Sequence, residues 1–446
     1  MLSACAMVNE PPRTPTLAGS GDAFSRTPGT VANPVPDDWW RLYDDAQLDR
    51  LVNDSLRANA DLRVAYANLD AAHATRRQAR QSRWPQTTLE SGLTIDDTRN
   101  QPSAASVPST DWDFGVTASW EIDVFGRLRA QVFAAEADLQ GRQAALDGIK
   151  VAVVADTVQS YVEFCGFTRA LRVANEIATR QQRYVQLVQR QLDAGEVSPL
   201  EVAQAASLAA SLRAATAPFE AWRASALYRL ATLQGQPPSR AEGLGVECAE
   251  MPQLRAGIPV ADGLALLSRR PDIREAEQRL AAAAANIAVA RADLYPRLNL
   301  GGVLGVLSGN FASVATPLLT WSLPNQAPAR AKLAQAGAAQ RAALATWDVV
   351  VLNALREVET ALAAYSAELA RNQALLDATA QAQDYARRAA VRVRTGDASA
   401  LLQVDAERTL ATAMLAQVQS ELVVAQAEVA LFRALGSGWR TENPPR

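Results

Sequence analysis

Two hydrophobic periodicities alternate along the chain. From about Leu56 to Arg83 the residues are mostly Ala, Leu, Arg, Asp and Gln, without Pro or Gly, which predicts a helix. Trp84-Pro85 ends this helix, because proline disfavours helical backbone in the residue before it. The stretch that follows alternates with period two, as expected of a strand. One face carries Trp112, Phe114, Val116, Ala118, Trp120 and Ile122, and the other carries Asp113, Gly115, Thr117, Ser119, Glu121 and Asp123.

Tryptophans near both ends of the apolar face are typical of a strand in a membrane barrel. A half-buried strand of a soluble sheet would show the same alternation, so periodicity alone leaves both alternatives open.

Very long helices follow each predicted hairpin. No proline occurs between Pro108 and Pro199, so a continuous helix over 127–194 is predicted, on the order of 100 Å long at 1.5 Å per residue. That length is far beyond a globular helix. Gly195 suits a helix C-cap, and Ser198-Pro199 opens a return helix over 199–234, with a kink expected at Pro218.

The chain is an internal duplication. Asp61, Arg80 and Pro85 recur 211 residues later as Asp272, Arg291 and Pro296. Further on the offset is 201, as shown by the pairs Trp120 and Trp321, Arg129 and Arg330, Tyr184 and Tyr385, Gly195 and Gly396, and Gly235 and Gly436. We therefore predict two copies of one unit (helix, hairpin, long helix, turn, long helix), with ten residues missing from the second hairpin.

The duplication sets the predicted domain boundaries. A truncated lipoprotein signal with a lipidated cysteine is predicted at 1–5, followed by a Pro-rich tether at 6–38. The first repeat covers 39–235, with a hairpin at 86–123 and long helices at 127–194 and 199–234, and a linker follows at 236–262. The second repeat covers 263–436, with a hairpin at 297–322 and long helices at 329–395 and 399–435, and a tail follows at 437–446. A short coiled-coil seam is predicted from Leu355, Val358, Leu362, Tyr365, Leu369 and Leu376, which are spaced alternately by three and four apart from the polar Asn372.

Composition excludes several functions. The net charge of -3 argues against a nucleic-acid partner, which would require a basic surface. No stretch approaches about eighteen consecutive apolar residues, so no transmembrane helix is predicted. With one histidine, three cysteines and no P-loop, His-Glu-x-x-His or nucleophile elbow, we predict no enzyme activity and no metal or other cofactor apart from a covalent lipid. His73 is predicted on a solvated helix face. Cys165 and Cys248 are expected to be unpaired buried thiols, although a bridge between them stays possible.

The N-terminus indicates a lipid anchor. Met1-Leu2-Ser3-Ala4-Cys5 has the order of residues that a lipoprotein signal peptidase cleaves, which makes Cys5 the lipidated residue. A basic region and a full apolar stretch are missing before it, so we expect a truncated or wrongly placed start. Residues 9–36 carry six prolines and form an extended tether, and Ala6 after the cysteine fits sorting to the outer membrane. A chance Leu-Ser-Ala-Cys is the alternative.

Two hairpins supply four strands, which cannot close a barrel, and open strand edges are not tolerated in lipid. The strands must therefore be completed by other subunits. Three copies would supply about twelve strands, within the range of closed barrels.

Four segments resemble outer membrane factors of the TolC and OprM type, in particular their lipoprotein branch. They are WWRLYDDAQLDRLVNDSLRANADL from Trp39, SWEIDVFGRLRAQ from Ser119, LYRLATLQGQPP from Leu227 and RRPDIREAEQRLAAAAANIAVARADLYP from Arg269. The resemblance implies an α+β membrane duct, formed by a homotrimer with a twelve-stranded β-barrel in the outer membrane and a coiled-coil α-helical barrel in the periplasm. It also implies passive conduction of drugs or other small molecules from an inner membrane RND-type pump, through a periplasmic membrane-fusion adaptor, to the outside.

The resemblance places the functional residues at the periplasmic turns, DAGEVSPLEV from Asp193 and RTGDASALLQVDAER from Arg394. Aligned on the turn glycines Gly195 and Gly396, Asp405 matches an aspartate that lines the closed aperture. Three copies of Asp405 would form a carboxylate ring that attracts cations. The remaining aperture positions are a hydrophobic constriction at Leu401, basic residues at Arg394 and Arg408, and an acidic residue at Glu201. We expect Glu201 to pair with Arg394 and to help hold the aperture shut, whereas a solvated helix face is the alternative for all five residues.

The chain departs from the family pattern at three places. Leu402 replaces a second aspartate of the turn, Val393 stands where some members carry tyrosine, and SLPNQAPAR from Ser322 replaces a Phe-Asp-Gly-Gly-like entry to the long helix. The competing function is a periplasmic coiled-coil scaffold or adaptor that never enters the membrane. That function explains the helices and the repeat but leaves the tryptophan-bearing hairpins unexplained.

Overall fold

The computed structural model describes residue 24 and residues 28–31, 33–96, 109–248, 250–254, 257–260, 268–307 and 310–439. The predicted signal, Cys5 and almost all of the tether lie outside the described residues, as does most of the tail. The chain divides into two compact units. One contains Tyr66–Ala145 and Asp272–Val350, and the other contains Ala18–Ala65, Leu146–Pro271 and Val351–Arg446.

The order of the elements repeats along the chain. The strands are β1 (Thr30–Val31), β2 (Gln86–Asp96), β3 (Ser109–Ile122), β4 (Ile258–Pro259), β5 (Arg297–Leu307) and β6 (Asn310–Thr320). The helices are α1 (Ala46–Ala58), α2 (Ala60–Gln81), α3 (Arg127–Asp193), α4 (Pro199–Ala214), α5 (Ala217–Leu233), α6 (Pro271–Ala292), α7 (Ala327–Arg394) and α8 (Ala400–Ala434), with short 3-10 helices at Trp39–Tyr43 and Pro238–Leu244.

The first return helix is not continuous. The sequence predicts one kinked helix over 199–234, but the chain forms α4 and α5 with a break at Ala215 and Thr216. Pro218 lies in the first turn of α5, where its missing N–H would have no intrahelical partner in any case. The predicted distortion near Pro218 is therefore present as a break between two helices, and only the single continuous helix is corrected.

One four-stranded antiparallel sheet, in the order β2-β3-β5-β6, dominates the first unit. In the first hairpin Gln86–Asp96 pairs with residues 109–119, and in the second Arg297–Leu307 pairs with residues 310–320, so each has eleven paired rows. The hairpins differ in the connection, which spans residues 97–108 in the first and 308–309 in the second. The ten residues that the second hairpin lacks therefore belong to its connection, and its paired strands are as long as those of the first hairpin.

The register aligns the apolar residues on one face of the sheet. Phe114 is paired with Val306, Val116 with Leu304 and Trp120 with Leu300. All six side chains are exposed in the single chain. The outermost rings are the most open, with Trp112 70% and Phe311 74% exposed. A soluble monomer rarely leaves so continuous an apolar face in water, so this face requires a non-aqueous environment or a partner.

Within the described residues, no helix is long and apolar enough to cross a membrane.

In each repeat a tryptophan near the end of the hairpin donates a hydrogen bond to the backbone just after the preceding helix. The Trp120 indole N–H donates to the Arg83 carbonyl at 2.9 Å, and the Trp321 indole N–H donates to the Leu294 carbonyl at 3.3 Å. Both bonds join matching positions of the two repeats, at offsets of 201 and 211. The duplication therefore preserves a contact as well as a sequence pattern.

The second unit has a core where its N-terminal and C-terminal segments meet. Trp39 is fully buried and stacks on Phe432, with ring centroids 4.4 Å apart. The neighbouring arginines Arg269 and Arg270 bind chain segments around this core. Arg269 donates to Asp37 and to the Val35 carbonyl, while Arg270 donates to the Ala434 carbonyl at 2.9 Å and to Glu357 at 2.8 Å.

The predicted seam of α7 joins the same core. Val358, Leu362 and Tyr365 are buried in it, and Leu355 and Leu369 pack against it. Leu376 is 38% exposed, so the described packing ends before the last predicted position of the seam.

The two described cysteines form a disulfide. Cys165 on α3 and Cys248 in the segment between the repeats are bonded, with Cα atoms 5.3 Å apart. The prediction of unpaired thiols is wrong, because the segment over 236–262 is not a free linker. Its 3-10 helix packs on α5, and β4 pairs in parallel with β1, which places Cys248 against α3.

Candidate functional site

The two turns that join long helices have the same construction. In the first, the Gly195 N–H donates to Leu192 and the next N–H donates to Gln191, at 2.9 and 2.8 Å. In the second, the Gly396 N–H donates to Val393 and the next N–H donates to Arg392, at 3.1 and 2.8 Å. Both are Schellman caps, which need a left-handed residue, and the glycines have φ of 76° and 77°. Open space lies around both glycines, so conformation and not crowding requires them.

Glu201 caps its own helix. The Ser198 backbone N–H donates to the Glu201 carboxylate at 2.6 Å, at the first turn of α4. The predicted pair with Arg394 does not form within this chain, because the short Ser-x-x-Glu spacing offers Glu201 a local partner at little entropic cost. Arg394 is exposed and, within the described residues, has no ion-pair partner.

Asp405 links the two helices of the second turn. The Tyr385 hydroxyl on α7 donates to one carboxylate oxygen of Asp405 on α8 at 3.3 Å, and Arg408 binds the other oxygen at 2.5 Å. The structure therefore brings together two of the predicted aperture residues, Asp405 and Arg408. The carboxylate side chain is 44% exposed, so it faces water while it is held from two sides.

Leu401 and Leu402 behave differently although they are neighbours. Leu401 is 49% exposed at the start of α8. Leu402 packs on a small cluster that includes Ala382, Ala386 and Leu410. An aspartate at 402 would set its carboxylate against these apolar side chains, which explains why leucine suits this chain at the departure from the family pattern.

Tyr184 joins the first turn to the second. Its ring packs with Val188, Ala205 and Val404, and its hydroxyl donates to the Ala400 carbonyl at 3.3 Å. Burial raises the pKa of Tyr184 to about 12, and the negative charges of Glu407 and Glu201 add to the effect. The hydroxyl therefore stays protonated and available as a donor at any physiological pH.

Sequence reasoning missed Tyr184 and Tyr385 as site residues. The signal was present, because these two tyrosines are equivalent positions of the repeat. It also missed the ion pair across the second turn, in which Arg392 binds Asp397 at 2.9 Å. That pair lies five residues apart around the turn glycine, and its formation follows from the fold of the turn.

The chemistry that these turns offer is electrostatic and steric. Carboxylate, guanidinium and phenol groups bind one another at these turns, and Leu200 and Leu401 are exposed at the starts of the two return helices. Among the described residues, no group of three or more His, Cys, Asp or Glu side chains could hold a metal ion.

Comparisons with known proteins agree over nearly the whole chain. The family model described as outer membrane efflux protein matches residues 51–236 and 265–437, one segment for each repeat. The pyoverdine export outer membrane protein OpmQ of Pseudomonas putida is 30% identical over 465 residues, covering 100% of this chain and 98% of that protein.

Solved structures show the same fold. The outer-membrane channel OprN is similar with a TM-score of 0.85 and 33% identity, covering 95% of this chain and 99% of that chain. The outer membrane protein VceC of Vibrio cholerae is similar with a TM-score of 0.80 and 25% identity, covering 91% of this chain and 100% of that chain. Together with the duplicated hairpins and long helices, these findings show that the chain belongs to the outer membrane efflux protein family and is an outer membrane channel component of an efflux system.

Proposed function

We propose that three copies of this chain assemble into one duct. The observation that carries the proposal is the sheet, which has an exposed apolar face and unpaired edges at β2 and β6 within the described residues. Backbone groups at such edges cannot remain unpaired in lipid. Joining β6 of one copy to β2 of the next pairs every edge, and three copies give a closed barrel of twelve strands, about the size of known outer membrane barrels.

The long helices α3 and α7 then supply a periplasmic barrel, with the turns at Gly195 and Gly396 at its aperture. Each of these helices measures on the order of 100 Å from its residue count. In this arrangement Asp405 forms a ring of three carboxylates, oriented by Tyr385 and Arg408. Leu401 is exposed in one chain and faces the constriction, and Arg394 and Glu201 complete the set of predicted aperture residues.

The duct is one part of a tripartite system. A periplasmic membrane-fusion adaptor and an inner membrane RND-type pump deliver the substrate, and the duct conducts it passively to the outside. Relatives are named for pyoverdine export and for toluene efflux. We infer that this chain carries small organic molecules of comparable size, such as drugs, and that a lipid on Cys5 holds the N-terminus in the outer membrane.

Two experiments test the assembly. Fractionation should place the chain in the outer membrane as a trimer, which runs more slowly on a gel before heating than the monomer that heating releases. A soluble periplasmic species would instead support the scaffold alternative. Metabolic labelling of the chain with a radioactive fatty acid should mark the wild type, and Cys5→Ser should remove the label.

A third experiment tests the aperture. In planar bilayers Asp405→Asn should lower the preference of the closed channel for cations over anions, because it removes three charges at one ring. Asp377→Asn is the matched control, since Asp377 is an exposed aspartate on α7 above the turn. Equal ion selectivity in the wild type and Asp405→Asn would exclude Asp405 from the aperture.

A further inference from the structure

The second hairpin meets its long helix at a cleft. It has a volume of about 330 Å³ and lies where α6 ends, β5 begins, β6 ends and α7 begins. Its walls include Tyr295, Trp321, Ser322, Gln326 and Lys332. The segment SLPNQAPAR, which departs from the family pattern, forms one side of it.

Comparison of the two repeats shows what the departure changes. At the first junction Glu121 forms an ion pair with Arg127, and Asp123 forms one with Arg129 at 3.2 Å. At an offset of 201 the two acids become Ser322 and Pro324. The second junction has thus lost both carboxylates.

Arg127, the partner of Glu121, is Pro328 in the second repeat, but two positive charges are present nearby. Arg330 matches Arg129, and Lys332 replaces a glutamine at 131. Both side chains are exposed and, within the described residues, neither makes an ion pair. The acid that lines the cleft, Asp293, is already bound by Arg297 at 2.6 Å. Two positive charges at this junction are therefore without a counter-charge from the chain's own described residues.

Apolar side chains continue from the cleft along the sheet. Leu319, on the apolar face of the sheet, and Leu323 are both more than half exposed, beside the half-exposed ring of Trp321. The Trp321 indole N–H is already bound to Leu294, so its ring is fixed in place beside the cleft. A tryptophan next to a basic group at the end of a membrane strand is the usual arrangement at the boundary between lipid tails and head groups.

We propose that this cleft binds the phosphate head group of an anionic phospholipid in the periplasmic leaflet of the outer membrane. Lys332, which lines the cleft, binds the phosphate, Arg330 two residues before it adds positive charge at the same junction, and the acyl chains lie along Leu319 and Leu323. The site rests on the proposed insertion of the strands in the membrane. Free inorganic phosphate shares the head-group chemistry but would not use the apolar side chains.

The test uses the full-length trimer in lipid nanodiscs made of phosphatidylcholine with a small fraction of phosphatidylglycerol of the same acyl chains. Native mass spectrometry measures how many phosphatidylglycerol molecules the trimer retains. Lys332→Gln, which restores the residue of the first repeat, should weaken retention about fivefold at low salt. Ser322→Glu restores the first repeat's carboxylate without removing a cation and should weaken retention by a similar factor.

Arg129→Gln is the matched control, because it removes a cation from the equivalent junction where Asp123 already neutralises it, and retention should not change. The site would be overturned if Arg129→Gln and Lys332→Gln reduced lipid retention equally. It would also be overturned if Lys332→Gln left retention unchanged, or if Ser322→Glu did. Displacement of phosphatidylglycerol by millimolar inorganic phosphate would show a free-anion site and overturn the lipid assignment. Conductance of the inserted wild-type trimers separates the two proposals, since a wild-type trimer that conducts normally but retains no phosphatidylglycerol refutes the site alone.

Discussion

Glu428 on α8 provides the sharpest test of the core beside Trp39. Its side chain is 9% exposed, and its carboxylate accepts a hydrogen bond from the Tyr43 hydroxyl at 3.2 Å. Tyr365, from α7, is also close to it. Burial raises the pKa of Glu428 to about 7, and the bond from Tyr43 offsets only part of this effect.

The direction of the pH dependence follows from this shift. The folded chain binds the proton of Glu428 more tightly than the unfolded chain, so stability from this group is fully present below about pH 4.5. It is lost as the pH rises towards 7, because ionisation then leaves a charge in a buried place. The difference of pKa corresponds to roughly 3 kcal/mol for each protomer.

Glu428→Gln tests the magnitude, because glutamine keeps the shape and the acceptor for Tyr43 but cannot ionise. We expect the variant to unfold at a higher temperature than the wild type at pH 8 and to lose this advantage at pH 5. The measurement is the unfolding temperature of the purified trimer in detergent at both pH values. Glu421→Gln is the contrast on the same helix, since it breaks an ion pair with Arg169 and should destabilise the chain at pH 8 by about 1 kcal/mol. If Glu428→Gln and the wild type differed in unfolding temperature by the same amount at pH 5 and at pH 8, the assignment of the pH dependence to Glu428 would be refuted.

Three further predictions concern the disulfide and the second turn. Replacing Cys165 and Cys248 by serine should lower the free energy of unfolding by about 4 kcal/mol, because the bond closes a loop with a sequence separation of 83. The wild type reduced with dithiothreitol should unfold at the same temperature as this variant. A difference between the two unfolding temperatures would contradict the bond. Gly396→Ala should lower the free energy of unfolding by about 1 kcal/mol, because the φ of Gly396 is 77°. Gly337→Ala, in the interior of α7, should instead raise it by up to about 1 kcal/mol. Equal effects of the two substitutions in urea unfolding would show that alanine is not strained at the cap. Leu402→Asp should lower stability by about 1 to 3 kcal/mol by desolvating a carboxylate, and an unchanged unfolding midpoint would place residue 402 in water.

Much of the architecture is predictable because it depends on local patterns. Alternation from Trp112 onwards predicts a strand, and the absence of proline after Pro108 predicts a helix the length of α3. The repeat multiplies this information, since each element is seen twice. The Schellman caps were also foreseeable, as only glycine takes the left-handed position easily.

The contacts between distant segments were not predictable in the same way. Cys165 and Cys248 carry no signal of pairing in their spacing, and the bond follows from how the inter-repeat segment folds on α3 and α5. Glu201 shows a local contact that was predictable. Its capping motif with Ser198 is visible in the sequence, and the predicted pair with Arg394 is not formed within one chain.

The equal length of the two hairpins has a consequence for how such a chain can change in evolution. Both have eleven paired rows, whether their strands are joined through residues 97–108 or through residues 308–309. Loss or gain of ten residues at that place alters no pairing partner in the sheet. The connections can therefore change in length while the strands remain under the constraint of their neighbours. A short epitope inserted between the two strands of either hairpin should leave its eleven paired rows unchanged.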